Sequence, residues 1–177
     1  MDEAQQRTID MVQTALEMEE KGKAFYDKAI TECSNELGND IFTKLRDDEL
    51  VHVERIKDIV ADLTGGKGWT DSWKTHQPDH EDLGTVFRQL AEKHGKNIVA
   101  STGDIEALAV GIDFEQKTVT FYQEALARAE DVMERAFVEQ MIEEEKGHHR
   151  VLSDMKLYLE HPETWFSEHE HQHLDGA

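Results

Sequence analysis

The fold of this chain is organised around the stretch Glu145-Lys146-Gly147-His148, which lies within the apolar run from Val132 to Leu159. On a helix, a Glu and a His three residues apart project from the same face. A carboxylate oxygen and an imidazole nitrogen on one face can bind the same metal ion. Alone, this pattern is a weak signal, because a chain with 39 Asp and Glu and 10 His contains such pairs by chance.

An internal repeat distinguishes two of the four Glu-x-x-His pairs in the chain. Glu145 and His148 lie 96 residues after Glu49 and His52. A shared offset of this kind marks a repeated structural unit, so these two pairs are the candidates for a shared role. The other two pairs are Glu168/His171 and Glu170/His173.

The repeat extends to the segment that precedes each pair. At the same offset of 96 and without a gap, residues 16–26 align with residues 112–122, which matches Glu19 with Glu115. We therefore interpret the chain as two copies of one helical hairpin. Each copy provides one Glu from its first helix and one Glu-x-x-His pair from its second, which is the ligand set of ferritin-like di-iron bundles.

Hydrophobic periodicity predicts the helices that carry these residues. Four long helices are expected, at about residues 5–32, 40–63, 105–129 and 132–159. Together they predict an all-α fold, a ferritin-like four-helix bundle built from two repeated hairpins. In the first hairpin, Gly38 is expected to end one helix and Asn39 or Asp40 to cap the next.

Residues 64–102 break this periodicity and predict a long crossover between the second and third long helices, with a short helix near residues 80–93. Trp69 and Trp73 are expected to cover a bundle face or a subunit contact. The histidines of the segment are expected to face the solvent: His76, His80 and His94.

The domain prediction follows from Pro162, which ends the last long helix. Residues 1–162 are predicted to form the bundle domain, and residues 163–177 a polar tail rich in His and Glu. The tail histidines could bind metal adventitiously, but a solvated polar segment is the simpler interpretation. These histidines are His169, His171 and His173.

The candidate metal ligands lie on the apolar stripes of their predicted helices. Glu19, for example, follows Ala15 by four residues and precedes Gly22 by three. A carboxylate on a core face is costly unless it is paired or bound to metal, so this position favours a ligand over a scattered surface Glu. The six candidates are Glu19, Glu49, His52, Glu115, Glu145 and His148. By the same criterion, Asp48 is expected on the solvent face.

The charge of this set predicts two metal ions. Four carboxylates with neutral imidazoles carry about −4, which two divalent cations balance. The expected arrangement is Glu49 and Glu145 bridging both ions, Glu19 and His52 completing one, and Glu115 and His148 completing the other. This oxygen-rich ligation suits iron or manganese, and zinc could also occupy it, so two iron ions per chain are expected with manganese or zinc as alternatives.

Tyr26 and Tyr122 each follow a candidate ligand, Glu19 or Glu115, by seven residues and share its helix face. We predict that each hydroxyl is hydrogen-bonded to a ligand carboxylate, which it orients or through which it passes an electron. The alternative is that both are core aromatic residues whose hydroxyl finds some other partner.

The overall composition limits the class of partner. The formal net charge of −20 argues against nucleic acid and against an anionic membrane surface, both of which require basic surfaces. The single cysteine, Cys33, permits no disulfide within the chain and no Cys-x-x-Cys site. The acidic start of the chain shows no secretory signal, so a cytoplasmic location is expected.

Taken together, these motifs resemble the rubrerythrin branch of the ferritin-like superfamily. The resemblance rests on residues 19–26 (EEKGKAFY), residues 112–122 (IDFEQKTVTFY) and the two Glu-x-x-His pairs, and it covers nearly the whole chain. It implies a left-handed-crossover bundle with a di-iron carboxylate centre that reacts with hydrogen peroxide or O₂. It also implies a dimer or a larger assembly.

Two positions depart from the pattern of that family. Rubrerythrins carry a rubredoxin-like module with four cysteines, whereas this chain has one, so the resemblance implies an external electron donor such as a rubredoxin-like protein or a reductase. They also have a further Glu one turn after the ligand of the third helix, where this chain has Thr118. The site is therefore expected to be more symmetric, as in bacterioferritins.

Three functions are compatible with these residues. The first is a di-iron oxidoreductase of the rubrerythrin type, which reduces hydrogen peroxide or O₂. The second is a ferroxidase that handles iron for storage or transfer, since acidic surfaces attract Fe(II). The third is a bundle in which the metal has a purely structural role.

Overall fold

The computed structural model of the chain describes residues 3–80 and 82–170, and all regular secondary structure in these residues is helical. The helices are α1 (Glu3–Glu32), α2 (Glu36–Thr64), α3 (Leu83–His94), α4 (Thr102–Arg128), α5 (Val132–Glu160) and α6 (Pro162–Glu170). Short 3₁₀ turns occur at Ser72–Thr75 and Gly95–Asn97. The prediction of an all-α, ferritin-like bundle is confirmed.

The four long helices pair as the repeat predicts, with α1 along α2 and α4 along α5. Their apolar side chains form two clusters, named here the Tyr26 cluster and the Tyr122 cluster after one tyrosine of each. The Tyr26 cluster includes Tyr26, Ile41, Leu45, Leu108, Leu152 and Tyr158. The Tyr122 cluster includes Val12, Ile56, Tyr122, Phe137 and Met141. On every long helix, the candidate ligands lie in sequence between the residues of one cluster and those of the other.

The helix starts differ from the prediction in the first hairpin. Asn35, rather than Asn39 or Asp40, caps α2, and its side-chain oxygen accepts a hydrogen bond of 2.7 Å from the amide of Gly38. Gly38 therefore lies inside the first turn of α2 and does not end α1. Asn is among the preferred N-cap residues, because its side-chain oxygen accepts from a backbone amide that has no partner within the helix. The helix therefore begins after Asn35 and not after Asn39 or Asp40.

The crossover covers both apolar clusters. Trp73 is only 1% exposed and packs edge-on against Phe137, and Trp69 packs against the same ring. From α3, Phe87 contacts Tyr158 of the Tyr26 cluster. The two tryptophans thus cover a bundle face, which is one of the two roles that the sequence predicts for them.

The polar tail predicted for residues 163–177 begins as a helix. Residues up to Glu170 form α6, in which Trp165 is 1% exposed and packs against Phe87 and Tyr158. Its ring is part of the Tyr26 cluster, so this part of the tail contributes to the core. His171 and His173, with the rest of residues 171–177, lie outside the described residues.

None of the helices in the described part of the chain has the length and apolar character that crossing a membrane requires.

Asp104, in the first turn of α4, joins the two hairpins. Its carboxylate accepts hydrogen bonds from the amide of Ser34 (3.0 Å), the side-chain amide of Asn35 (3.3 Å) and the amide of Ser101 (2.8 Å). Ser101 completes a capping box with it. The Ser34 hydroxyl also donates to this carboxylate. Burial raises the pKa of Asp104, but the hydrogen bonds, that of the Ser34 hydroxyl foremost, outweigh it and hold the pKa well below its usual value.

We expect Asp104→Ala to lower the free energy of unfolding by about 1–3 kcal/mol, because it breaks the capping box of α4 and removes the hydrogen bonds that join the two hairpins. Urea unfolding followed by circular dichroism measures the change. The control is Asp113→Ala in the same helix, which removes an exposed ion pair with Lys117 and should change stability by less than about 0.5 kcal/mol. Equal effects of the two substitutions would contradict the role assigned to Asp104.

Candidate metal centre

Six side chains from the four long helices meet between the two apolar clusters. They form two overlapping groups, in each of which the candidate donor atoms lie within 4.8 Å of one another. One group is Glu19, Glu49, His52 and Glu145, and the other is Glu49, Glu115, Glu145 and His148. Each of these residues is at most 1% exposed. The structure brings together all six predicted ligands and shares Glu49 and Glu145 between the groups.

Many of the oxygen and nitrogen atoms that could bind a metal in this cluster are buried without a hydrogen-bond partner. They include both carboxylate oxygens of Glu49 and of Glu145, Oε2 of Glu115 and Nδ1 of His148. Each buried polar atom left unsatisfied costs about 1–3 kcal/mol, so the cluster is better suited to binding cations than to internal pairing. Carboxylate and imidazole donors in this ratio suit iron, manganese or zinc. The residues present therefore fit a di-metal site, and their role as ligands stays a prediction.

Both imidazoles turn Nδ1 toward the cluster. His52 Nδ1 lies 3.1 Å from Glu19 Oε2 and 3.0 Å from Glu145 Oε1. His148 Nδ1 lies 3.3 Å from Glu49 Oε1 and 3.4 Å from Glu145 Oε2. The two rings stack with their centroids 5.5 Å apart. The nitrogen that would bind a metal is therefore Nδ1 in both.

The outward nitrogen of each imidazole meets a carboxylate from the other hairpin. His52 Nε2 lies 2.8 Å from Glu144 Oε2, and His148 Nε2 lies 3.2 Å from Asp48 Oδ2. Because a carboxylate can only accept, Nε2 carries a proton, and Nδ1 would offer its inward lone pair to a metal once it has lost its own proton. The expectation that Asp48 faces the solvent is wrong, since it is only 3% exposed. The repeat contained a signal for it, because Asp48 and Glu144 lie 96 residues apart.

The outer carboxylates have different partners of their own. Arg55 donates from Nη1 to Glu144 Oε2 at 2.6 Å and from Nε to the carbonyl of His76 at 2.9 Å. His80 Nε2 lies 2.7 Å from Asp48 Oδ1. The expectation that His80 faces the solvent is wrong, because its side chain is 9% exposed and held by Asp48. Nothing in the helix periodicity indicates that a crossover residue reaches this far in.

The two predicted tyrosines bond to candidate ligands, each across the hairpins. Tyr26 of α1 donates its hydroxyl proton to Oε1 of Glu115 on α4, and Tyr122 of α4 donates to Oε1 of Glu19 on α1. Both side chains are fully buried. Burial, with the nearby Glu115 and Glu19 charges next in importance, raises the pKa of Tyr26 and of Tyr122 well above the usual value. Both hydroxyls therefore keep their protons and act as donors.

Gly22 leaves the space that Glu49 occupies. A Cβ at this position would lie 2.7 Å from Glu49 Oε2 and 2.9 Å from Phe114 Cε1. The residue 96 positions later is Thr118, which is buried and donates its hydroxyl to the carbonyl of Phe114. Thr118 thus adds no carboxylate to the centre. Each of the two donor groups therefore consists of three Glu and one His.

Without metal, the cluster retains protons. Burial, followed by the nearby Glu145 charge, raises the pKa of Glu115 to about 8. Burial and the charges of Glu19 and Glu145 raise the pKa of Glu49 well above its usual value. Burial opposes the charged form of both imidazoles, but the charge of Glu145 prevails and raises the pKa of His52 and of His148 well above the usual value.

Comparison with known proteins agrees with the resemblance noted in the sequence. The family model described as Rubrerythrin matches residues 10–156, most of the chain and all six candidate ligands. The comparisons with curated proteins and with solved structures found no match.

We expect metal binding to release protons, because the groups with raised pKa must lose them to become ligands. The apparent affinity for Zn²⁺ should therefore rise between pH 6 and pH 8, by about tenfold per pH unit for each proton released. Calorimetric titration at pH 7 in buffers of different ionisation enthalpy counts these protons. A binding heat that does not depend on the buffer would contradict this account of the cluster.

We expect Gly22→Ala to weaken Zn²⁺ binding by roughly tenfold or more, since the added methyl group displaces the Glu49 carboxylate. The control is Gly147→Ala, also in a long helix, where an added Cβ meets nothing within 4 Å. It should leave the affinity unchanged and stabilise the protein by about 0.5–1 kcal/mol. Equal Zn²⁺ affinities for the two variants would show that Gly22 has no role at the centre.

Proposed function

We propose that this chain, which belongs to the rubrerythrin family, is a di-metal oxidoreductase that reduces hydrogen peroxide or O₂ with electrons from an external donor. The observation that carries the proposal is the pair of buried donor groups that share Glu49 and Glu145. Bound iron, the metal that the family suggests, would supply electrons and Lewis acidity to a small oxidant. Manganese and zinc are the alternative occupants of the same donors.

The protein side chains would hold this centre in one geometry and keep water from it. The Tyr26 and Tyr122 hydroxyls fix one oxygen of Glu115 and of Glu19, which leaves the other oxygen for metal. The two imidazoles keep their Nε2 protons and donate them in hydrogen bonds to the outer carboxylates Glu144 and Asp48. Apolar clusters above and below the centre exclude bulk water, which strengthens electrostatic interactions within it.

A small oxidant has a route to the centre. His148 is part of the lining of a cavity of about 330 Å³, together with Asp48, His80 and Gly147. The cavity lies on the side of the bundle where the crossover passes α5. A cavity of this size suits peroxide or O₂ and the ions that load the site.

The electrons would come from another protein. The 177 residues contain one cysteine, so a four-cysteine rubredoxin-like iron site is not among them. We propose a rubredoxin-like protein or a reductase as the donor, and a homodimer or larger assembly as the functional form, both on the basis of the family resemblance.

A second function, iron handling with ferroxidase activity, is favoured by charge. The net charge is −20, and the lining of the cavity beside His148 includes Asp82, Glu143 and Glu144. Such a surface raises the local concentration of Fe²⁺. Storage would require a hollow shell, so light scattering that reports a dimer would exclude storage and leave transfer.

We expect protein loaded with Fe(II) under anaerobic conditions to be oxidised by hydrogen peroxide faster than free Fe(II) at the same pH, as followed by stopped-flow absorbance. Glu19→Gln should slow this oxidation by about tenfold or more, because it removes a ligand charge and replaces one carboxylate oxygen by an amide nitrogen that does not bind metal, while an oxygen remains to accept from Tyr122. The control is Glu17→Gln, an exposed position two residues earlier on α1.

A rate for wild-type protein no greater than that of free Fe(II) would reject the peroxidase function. If O₂ oxidises the loaded protein rapidly while peroxide does not, the ferroxidase function is supported instead. Loss of the helical signal on chelation, without any redox activity, would support a structural metal.

A further inference from the structure

The two halves of the centre are matched in their inner residues. We use "His52 position" for the donors Glu19, Glu49, His52 and Glu145, and "His148 position" for Glu49, Glu115, Glu145 and His148. The offset of 96 relates Glu19 to Glu115 and His52 to His148, and the remaining two donors are shared. Any difference in affinity between the positions must therefore come from what surrounds them.

The two positions differ in the cation that lies behind them. Arg55 of α2 is fully buried and donates to Glu144, the outer carboxylate behind His52. The residue 96 positions after Arg55 is Val151, which is also buried but has no charge. No cation of α5 therefore occupies the equivalent place behind His148. The crossover supplies His80 there instead, 2.7 Å from Asp48.

This difference changes the charge next to each position. A guanidinium keeps its charge over the whole accessible pH range, so Arg55 cancels the charge of Glu144. Behind His148 the partner of Asp48 is the imidazole of His80, and the residue equivalent to Arg55 is the uncharged Val151, so no guanidinium cancels the charge of Asp48 in the way that Arg55 cancels that of Glu144. Burial of Asp48 and Arg55 keeps solvent from screening these charges fully. The negative charge that remains on Asp48 favours a cation bound near His148.

Access favours the same position. His148 and Asp48 both contribute to the lining of the 330 Å³ cavity, and that lining also includes Asp82 and Glu143 against one arginine, Arg150. The lining contains both outer carboxylates, Asp48 and Glu144, but of the two imidazoles it contains His148 and not His52, so the cavity borders the His148 position. The asymmetry of charge and the route of access are separate observations.

We infer that the two metal positions are unequal and that the His148 position binds the first divalent cation. The inference rests on the proposed function only in that the six residues are ligands. It assigns Asp48, Glu144 and Arg55 as positioning residues that set the order of loading through their charges.

The test is titration of metal-free protein with Zn²⁺ at pH 8, followed by NMR of ¹⁵N-labelled histidine. The resonances are assigned with His52→Gln and His148→Gln. We expect the first equivalent to shift Nδ1 of His148 and the second to shift Nδ1 of His52, with affinities that differ by about tenfold or more. Simultaneous shifts, or His52 first, would overturn the inference, and this result needs no destabilised variant.

Asp48→Asn and Glu144→Gln form a matched pair that separates charge from structure. Asp48→Asn removes the uncancelled charge behind His148 and should reduce the affinity ratio by about fivefold or more. Glu144→Gln leaves the Arg55 charge uncancelled behind His52 and should increase the ratio. If these residues only supported the fold, both substitutions would weaken both positions alike, and that outcome would overturn the charge assignment.

The inference and the proposed function fail in different ways. Ordered Zn²⁺ binding in a protein whose Fe(II) form does not react with peroxide or O₂ would support the inference and reject the oxidoreductase. Simultaneous binding of the two ions, in a protein whose Fe(II) form reacts rapidly with peroxide or O₂, would reject the inference and support the oxidoreductase.

Discussion

Burial of four carboxylates around two imidazoles is the constraint on which the rest of the structure depends. Each of these side chains is nearly inaccessible to solvent, and most of their inward oxygens have no hydrogen-bond partner. Such a cluster is tolerated only if cations or protons neutralise it. The four long helices must therefore be in a register that brings all the donors to one level. The apolar clusters on either side hold that register, because each long helix contributes to both of them.

The repeat explains how much could be predicted from the sequence. One offset, combined with apolar periodicity, is sufficient to identify the bundle, the long helices and six residues that converge, because both signals are local to a helix. Asp48 was missed because it lies about 100° around the helix from Glu49, where periodicity predicts solvent. In the structure the other hairpin and the crossover cover that face. His80 and Arg55 were missed because their partners are distant in sequence and no period relates them. The start of α2 differs from the prediction for a simpler reason, since Asn35, Asn39 and Asp40 can each serve as its cap.

The crossover does more than connect the hairpins. The carbonyl of His76 accepts a hydrogen bond from Arg55, which is the partner of Glu144. The imidazole of His80 lies against Asp48, the other outer carboxylate. On one side of this segment Trp73 covers the Tyr122 cluster, and on the other Phe87 enters the Tyr26 cluster. A segment that lies outside the repeat thus gives the two donor groups different surroundings, although the repeat makes their inner residues alike. A symmetric scaffold obtains an asymmetric centre in this way, without any change to its inner residues.

The hydroxyl of Tyr26 and that of Tyr122 each bond to a carboxylate on the opposite hairpin, and the outer carboxylates reach across in the same manner. Neither half of the chain therefore contains a complete centre. A half-length ancestor would have needed a second copy of itself to assemble one, and gene duplication would have replaced that dimer with a single tethered molecule. The tether makes assembly intramolecular and so independent of protein concentration. It also allows the two halves to differ, as they do at Arg55 and Val151.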